Sequence, residues 1–213
     1  MIEHGRAVQI VVVAKEPRPG RVKTRLCPPC TPQQASDLAG AALADTLDTV
    51  SATTATRRVL LLEGGYQPPA GWSVVAQEGG ELAERLANGF VDTAYGTTST
   101  LLIGMDTPQL TTVLLDEVAG GLSDADAVLA PAVDGGWWAL ALRIPACGRL
   151  LADVPMSRAE TGELTLKALR AGGLSVSSGP PLRDVDTAAD LPPVAAECGD
   201  TRFARAVRAL GLS

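Results

Sequence analysis

The sequence predicts an α/β fold: an open, mostly parallel sheet with helices on both faces. Three observations predict it. Val8–Ala14 reads Val-Gln-Ile-Val-Val-Val-Ala, nearly continuous and β-branched, as a strand buried on both faces must be. Strand-sized apolar runs then alternate with helical stripes along the chain, the order that generates βαβ crossovers. Helix-start signals also fall between the runs, most clearly at Thr31-Pro32-Gln33-Gln34, with an N-cap, a Pro at the first helical position and a Gln where a capping box needs it.

Each element follows from local pattern. After Thr31, apolar residues recur at Ala35, Leu38, Ala39, Ala42, Leu43 and Leu47, a helical stripe. Arg58–Leu62 and Trp72–Ala76 read as strands. Leu82, Leu86 and Phe90 mark one face of a helix between Gly80 and Tyr95. Thr100–Gly104 is a strand that ends on Met105-Asp106, and a helix follows over Thr111–Val118. Ala127–Ala130 and Trp138–Leu142 are strands. Ser157-Arg158-Ala159-Glu160 has the capping-box pattern and predicts a helix running to about Ala171. Leu174–Ser177 is a late strand, Gly179-Pro180-Pro181 a turn, and a last helix ends near Leu210.

Bulk properties restrict the function classes. The 213 residues suit one domain, 1–213, and 46% hydrophobic content supplies a core, built from Ala, Val and Leu because aromatics are only 3%. A net charge of −6 does not attract nucleic acid or anionic membrane in bulk, so a polyphosphate site requires a local basic cluster. Apolar runs are strand-sized and broken by Gly, Pro or charge, so no membrane span is expected. Val8–Ala14 leads into Lys15-Glu16-Pro17 without a small-residue cleavage pattern, and a soluble cytoplasmic protein is expected. Cys27-Pro28-Pro29-Cys30 has C-x-x-C spacing. The chain holds no second such pair and His4 is its sole histidine, which leaves a tetrahedral zinc site short of ligands.

In such a sheet, ligands bind outside the carboxyl ends of the strands, and three features fall there. Ala14-Lys15-Glu16-Pro17-Arg18-Pro19-Gly20-Arg21-Val22-Lys23-Thr24-Arg25-Leu26 follows the first strand and sets five cations against Glu16. Backbone N–H groups, Lys point charges and Arg forks suit a polyphosphate, and Gly20 permits close backbone approach. The spacing is neither a Walker A loop nor G-x-G-x-x-G, and a solvated basic surface is the other reading. Gly104-Met105-Asp106-Thr107-Pro108 puts an Asp just past a strand, where it can bind Mg²⁺ or cap a turn. In Arg183-Asp184-Val185-Asp186-Thr187 the alternating acids point to one side of an extended chain and repel unless a cation intervenes. Thr187 with Asp190 already forms a capping pattern, which leaves Asp184 and Asp186 without a structural task. Asp134-Gly135-Gly136-Trp137-Trp138 also follows a strand. Its glycines read as a turn that lets a ligand approach the backbone, or as a hairpin turn with inward tryptophans.

On these four ordered motifs, from about Val8 to about Leu191, the sequence resembles the GT-A-type transferases related to phospholactate guanylyltransferase, the nucleotidyltransferase of deazaflavin cofactor biosynthesis. Within them it is most similar to the glycosyltransferase-A-like subgroup associated with radical-SAM or selenium gene clusters. The resemblance implies a Rossmann-like GT-A fold. It implies that Ala14, Lys15, Gly20, Arg21, Lys23 and Arg25 hold nucleotide phosphates, with Glu78, Gly79 and Gly80 near the base and ribose. Asp106, Asp184 and Asp186 would bind Mg²⁺ or Mn²⁺, and Lys23, Arg25 and Asp106 would act in catalysis. Asp134, Gly135, Gly136, Trp137 and Ser157 would face the acceptor. The guanylyltransferases carry a Thr after the two glycines, whereas this chain has Trp137, which cannot replace that hydroxyl.

The implied function is a metal-dependent nucleotidyltransferase that joins an NTP to a phosphorylated acceptor and releases pyrophosphate. An NDP-sugar-dependent glycosyltransferase is the alternative, and an inactive nucleotide-binding protein a second. The expected partners are a nucleotide (NTP or NDP-sugar) and an acceptor, with no nucleic acid and no membrane; assembly into a homo-oligomer stays open.

Overall fold

The computed structural model describes residues 7–212. Its centre is a seven-stranded sheet in the order β3-β2-β1-β4-β6-β5-β7. The strands are β1 (Val8–Lys15), β2 (Arg57–Glu63), β3 (Ser73–Ala76), β4 (Ser99–Gly104), β5 (Ala127–Pro131), β6 (Trp137–Leu142) and β7 (Val176–Ser178). All run parallel except β6, which is antiparallel to both β4 and β5. Six α-helices accompany them: α1 (Pro32–Ser51), α2 (Leu82–Asp92), α3 (Thr112–Gly120), α4 (Thr161–Ala171), α5 (Leu191–Glu197) and α6 (Arg202–Ala209).

Side-chain alternation on β1 explains the unbroken apolar run. Ile10, Val12 and Ala14 pack into one layer with Leu43 and Leu47 of α1 and Leu115 and Val118 of α3. Val11 faces the other layer, with Leu86 and Phe90 of α2 and Leu169 of α4. A third cluster joins α1 to α5 and α6 through Leu38, Val194, Phe203 and Val207. A strand covered on both faces has no polar side, so it reads as continuous rather than alternating. Among the described residues, no helix is long and apolar enough to cross a membrane.

The capping box at Thr31 and Gln34 forms as expected, and Thr187 with Asp190 forms one over a short 3₁₀ turn. The box expected at Ser157 and Glu160 does not form. The helix begins at Thr161, its N-cap Glu160 makes no side-chain cap bond, and Ser157 sits in the left-handed region at φ 59°. Thr161 takes the organising role: its Oγ1 accepts from the Arg158 N–H at 3.1 Å and donates to the Pro155 carbonyl at 2.9 Å. Leu82 also departs from its expected place on the buried face of α2; it is 42% exposed.

Candidate active site at the carboxyl ends of the strands

The basic loop is folded by its two apolar residues. Val22 and Leu26 are buried, and between them Arg25 projects outward while the Lys23 side chain, 13% exposed, turns toward Asp106. Lys23 itself is left-handed at φ 47° and caps a 3₁₀ turn over Thr24–Leu26. A non-Gly residue held there carries local strain of a kind found at functional sites. Gly20, at φ 72°, supplies the turn before it.

These cations meet acids from other strands. Lys23 Nζ lies 2.9 Å from Asp106 Oδ1, and Arg25 Nη1 lies 2.6 Å from Asp186 Oδ2. Lys15 Nζ lies 3.1 Å from Glu63 Oε1, and Arg85 Nη1 reaches the other oxygen of Glu63 at 2.7 Å. Arg18 pairs with Glu16 at 2.7 Å, and Glu16 also accepts from the Gly65 N–H; that N–H and Arg18 hold its carboxyl below the usual range. Arg21 makes no ion pair among the described residues. The loop is therefore more nearly neutral than its sequence indicated. Glu63 was missed because its partnership depends on register: Lys15 and Glu63 are matched across the parallel β1–β2 pair.

The metal candidates come together through backbone stitching. Leu182 donates to the Pro131 carbonyl at 3.1 Å and Val133 to the Leu182 carbonyl at 3.0 Å, which lays the 182–184 segment beside the β5–β6 hairpin. Val185 is buried and donates to the Asp106 carbonyl at 2.9 Å. Asp106, Asp134 and Asp184 thus line one cavity of about 270 Å³. Asp106 also lines a neighbouring cavity of about 250 Å³ with Lys15, Arg21, Lys23, Arg25 and Asp186. Burial, then the charges of Asp134 and Asp106, push the Asp184 carboxyl up to about 6 against the pull of Lys23. Asp186 faces Arg25 in the second cavity, not Asp184 in the first. Among the described residues, no three His, Cys, Asp or Glu side chains gather into a ready-made metal cage.

The residues nonetheless fit a divalent cation shared with a nucleotide. Mg²⁺ is usually held by one or two carboxylates together with phosphate oxygens and water. Asp106 and Asp184 are carboxylates of that kind; burial first, then the charges of Asp134 and Asp106, push Asp184 up to about 6, and a cation beside it would favour its charged form.

The two tryptophans diverge as neighbours on a strand must. Trp138 is buried in the core and donates Nε1–H to the Pro180 carbonyl at 2.9 Å. Trp137 lines the 270 Å³ cavity with Leu82, Leu86, Met156, Ser157 and Arg158. Its Nε1–H is spent on Thr165 Oγ1 at 3.1 Å, so it presents an apolar face without a free donor. The Asp134-Gly135-Gly136 turn closes the β5–β6 hairpin, with Asp134 Oδ1 accepting from the Gly136 N–H at 2.8 Å. Its glycines serve protein packing: a Cβ on Gly135 would lie 1.9 Å from the Ala159 carbonyl oxygen, and the Gly162 N–H donates to the Gly135 carbonyl at 2.8 Å. Of the two readings of this turn the hairpin forms, with Trp138 inward, and Asp134 and Gly136 line the 270 Å³ cavity.

Beside β1, Gln77 Nε2 donates to the Ala14 carbonyl at 2.8 Å, tying the end of β3 to β1. The Glu78-Gly79-Gly80 turn is held from α2: Asn88 donates to the Glu78 carbonyl, Arg85 to the Gly79 and Gly80 carbonyls, and Gly80 N–H donates to Glu84. All four cysteines are free, and burial pushes the Cys30 thiol up. A cavity of about 440 Å³ lies at the opposite, amino ends of the strands, lined by Val8, Ile10, Leu115 and Leu122. Among the described residues Asp116 is its one charged side chain.

Solved structures share this architecture. A candidate nucleotide-diphospho-sugar transferase from Desulfovibrio desulfuricans G20 aligns with a TM-score of 0.84 at 24% identity, over 96% of this chain and 96% of that one. Rv0371c from Mycobacterium tuberculosis H37Rv, in complex with manganese, aligns at 0.55 with 19% identity over 89% and 98%. The 4-diphosphocytidyl-2C-methyl-D-erythritol synthase of Anaerococcus prevotii DSM 20548 aligns at 0.58 with 10% identity over 91% and 97%. These likenesses establish the nucleotide-diphospho-sugar transferase, or GT-A-like, fold. The sequence matches no curated protein. The model of the family described as an uncharacterized protein conserved in bacteria (DUF2064) matches residues 38–158, more than half of the chain, and the chain belongs to that family.

Proposed function

We propose that this chain is a metal-dependent transferase acting on a nucleotide, and specifically a nucleotidyltransferase. One observation carries the reading: the basic loop after β1 and the acid after β4 meet at the carboxyl end of the sheet, with Lys23 Nζ 2.9 Å from Asp106. Paired with acids, these cations are poised to exchange a carboxylate for a phosphate at little cost in desolvation. Lys15, Arg21, Lys23 and Arg25 receive the phosphate oxygens, and this density of charge suits a triphosphate. The relation to phospholactate guanylyltransferases belongs with this proposal, as does the manganese of the mycobacterial neighbour.

In the proposed reaction an acceptor oxygen attacks the α-phosphorus of the NTP and pyrophosphate leaves. Lys23 and Arg25 offset the charge that builds on the leaving group. Asp106 and Asp184, with Asp186 if Arg25 turned to phosphate, would hold Mg²⁺ or Mn²⁺, which would polarise the phosphoryl oxygens. The acceptor enters from the Trp137 side. No side-chain nucleophile is required, since the chemistry is positioning and charge stabilisation.

Transfer of a sugar from an NDP-sugar is the second reading, favoured by the apolar face of Trp137, which suits a sugar ring. Product analysis separates the two: pyrophosphate release from an NTP supports nucleotidyl transfer, and NDP release from an NDP-sugar replaces it with glycosyl transfer. Binding of nucleotide with neither product, across a broad acceptor set, would leave an inactive nucleotide-binding protein.

A further inference from the structure

We propose that the cavity beside Trp137 binds an amphipathic organic acid, with its anionic group on Arg158 and its apolar body against Leu82, Leu86, Trp137 and Met156. The inference rests on the transferase reading only for the role of this molecule as acceptor.

The cations bordering the proposed nucleotide side are mostly committed: Lys15 to Glu63, Arg18 to Glu16, Lys23 to Asp106, Arg25 to Asp186 and Arg85 to Glu63. Arg158 lines the acceptor-side cavity, is exposed, and has no ion-pair partner among the described residues. Three acids share its cavity: Asp106 is paired with Lys23, Asp134 accepts the turn N–H of Gly136, and Asp184 makes no ion pair with Arg158 or any other cation among the described residues. A guanidinium at the rim of a cavity, lacking its own carboxylate, is a ready fork for a ligand's carboxylate or phosphate.

Arg158 stands on a fixed segment. Its own N–H is held by Thr161 Oγ1 at 3.1 Å, and the preceding Ser157 is kept left-handed at φ 59°, a conformation that persists when the surroundings impose it. The Gly162–Gly135 hydrogen bond of 2.8 Å and the close approach of Ala159 to Gly135 clamp the segment to the hairpin that carries Trp137. Arg158, Met156 and Trp137 are therefore held by one clamped unit, and α2 supplies Leu82 and Leu86 as the rest of the wall. The wall offers no free donor, because the Trp137 Nε1–H is taken by Thr165. A volume of about 270 Å³ lies just below the usual range for small-molecule sites. A compact, highly charged molecule would leave the apolar wall wet, and a neutral one would leave Arg158 without a counter-ion.

The test uses octanoate as probe, with acetate and octan-1-ol as its two halves, titrated calorimetrically into wild-type protein and into the exposed-site variants Arg158→Ala and Leu82→Ala. Octanoate is expected to bind at least about tenfold more tightly than either half. Arg158→Ala is expected to weaken it about tenfold or more, the scale of a lost charge-assisted contact, and Leu82→Ala by a few-fold. Equal octanoate affinity in Arg158→Ala, or acetate and octan-1-ol binding as well as octanoate, overturns the assignment. Nucleotide binding is measured in the same samples. Wild-type protein that takes octanoate through Arg158 but binds no nucleotide upholds the cavity assignment and sinks the transferase reading. Nucleotide binding alongside octanoate binding indifferent to Arg158 does the reverse.

Discussion

Val185 donates its backbone N–H to the carbonyl of Asp106 at 2.9 Å. This bond, between residues 79 positions apart, joins the loop after β4 to the loop carrying Asp184 and Asp186. A buried side chain adds a second stitch: Gln109 Nε2 donates to the Arg183 carbonyl at 2.6 Å. The other end of that amide, and the buried hydroxyl of Thr107, have no hydrogen-bond partner among the described residues, so the junction is polar and imperfectly satisfied. Gln109→Leu preserves volume and removes the donor. A net hydrogen bond is worth about 1 kcal/mol, so Mn²⁺-supported nucleotide affinity should fall roughly fivefold. Metal-independent nucleotide binding should change little. Equal losses in both would reduce Gln109 to a generic core residue.

The basic loop makes a second prediction. Lys23→Ala and Arg25→Ala should each cost about 1.5–3 kcal/mol in nucleotide binding. The melting temperature should barely move, because Val22 and Leu26, not the cations, anchor the loop to the core. Calorimetric titration with the best-binding nucleotide checks this. Unchanged affinity in both variants would make the run a solvated surface.

The acceptor makes a third. Under the proposed resemblance to guanylyltransferases Trp137 would stand at the place of a hydroxyl, and its Nε1–H is already committed to Thr165 at 3.1 Å. Phospholactate and phosphoenolpyruvate, compact and multiply charged, should therefore be poor acceptors. A pyrophosphate-release assay with GTP and Mg²⁺, run beside a known guanylyltransferase, checks it. Turnover matching that control would move this chain into the guanylyltransferase group proper.

Much of the sheet could be read from the sequence because burial on both faces leaves an unmistakable β-branched signature, and because Thr31 and Thr187 satisfy their caps locally. The three ligand-end motifs were visible for the same reason: each directly follows a strand. What stayed hidden depends on distant partners. The Ser157–Glu160 pattern looks like a helix start, but packing of Ala159 and Gly162 against the Gly135 hairpin holds that segment out of the helix. Glu63 becomes part of the site only through β1–β2 register. Asp186 looks like a partner of Asp184, yet Arg25, 161 residues away, claims it in the structure. Met156 carries no motif, Arg158 fills only a variable place in the capping-box pattern, and both enter the cavity by position.

Stability makes a fourth prediction, away from the site. Asp45 on α1 is buried and accepts from the Arg202 and Phe203 N–H groups at 3.2 and 2.8 Å and from the Arg202 guanidinium at 3.1 Å. It thereby caps α6 from a neighbouring helix. Asp45→Ala removes these charge-assisted bonds and should destabilise the fold by about 2–3 kcal/mol in denaturant unfolding. Nucleotide affinity should survive at temperatures where the variant is folded. A loss below 0.5 kcal/mol, on the order of an ordinary surface change, would show that α6 holds without the cap.

The most direct test of the central claim is a thermal-shift and calorimetric series with the four common NTPs and NDP-sugars, each with Mg²⁺, with Mn²⁺ and with a chelator, on wild-type protein and Asp106→Asn. At 100 times its dissociation constant a ligand stabilises the fold by about 2.7 kcal/mol, a readily measured shift. At least one nucleotide is expected to give such a shift with metal present, and chelation or Asp106→Asn to weaken its binding about tenfold or more. Absence of any nucleotide-dependent shift with either metal, or full affinity retained in Asp106→Asn, would contradict it.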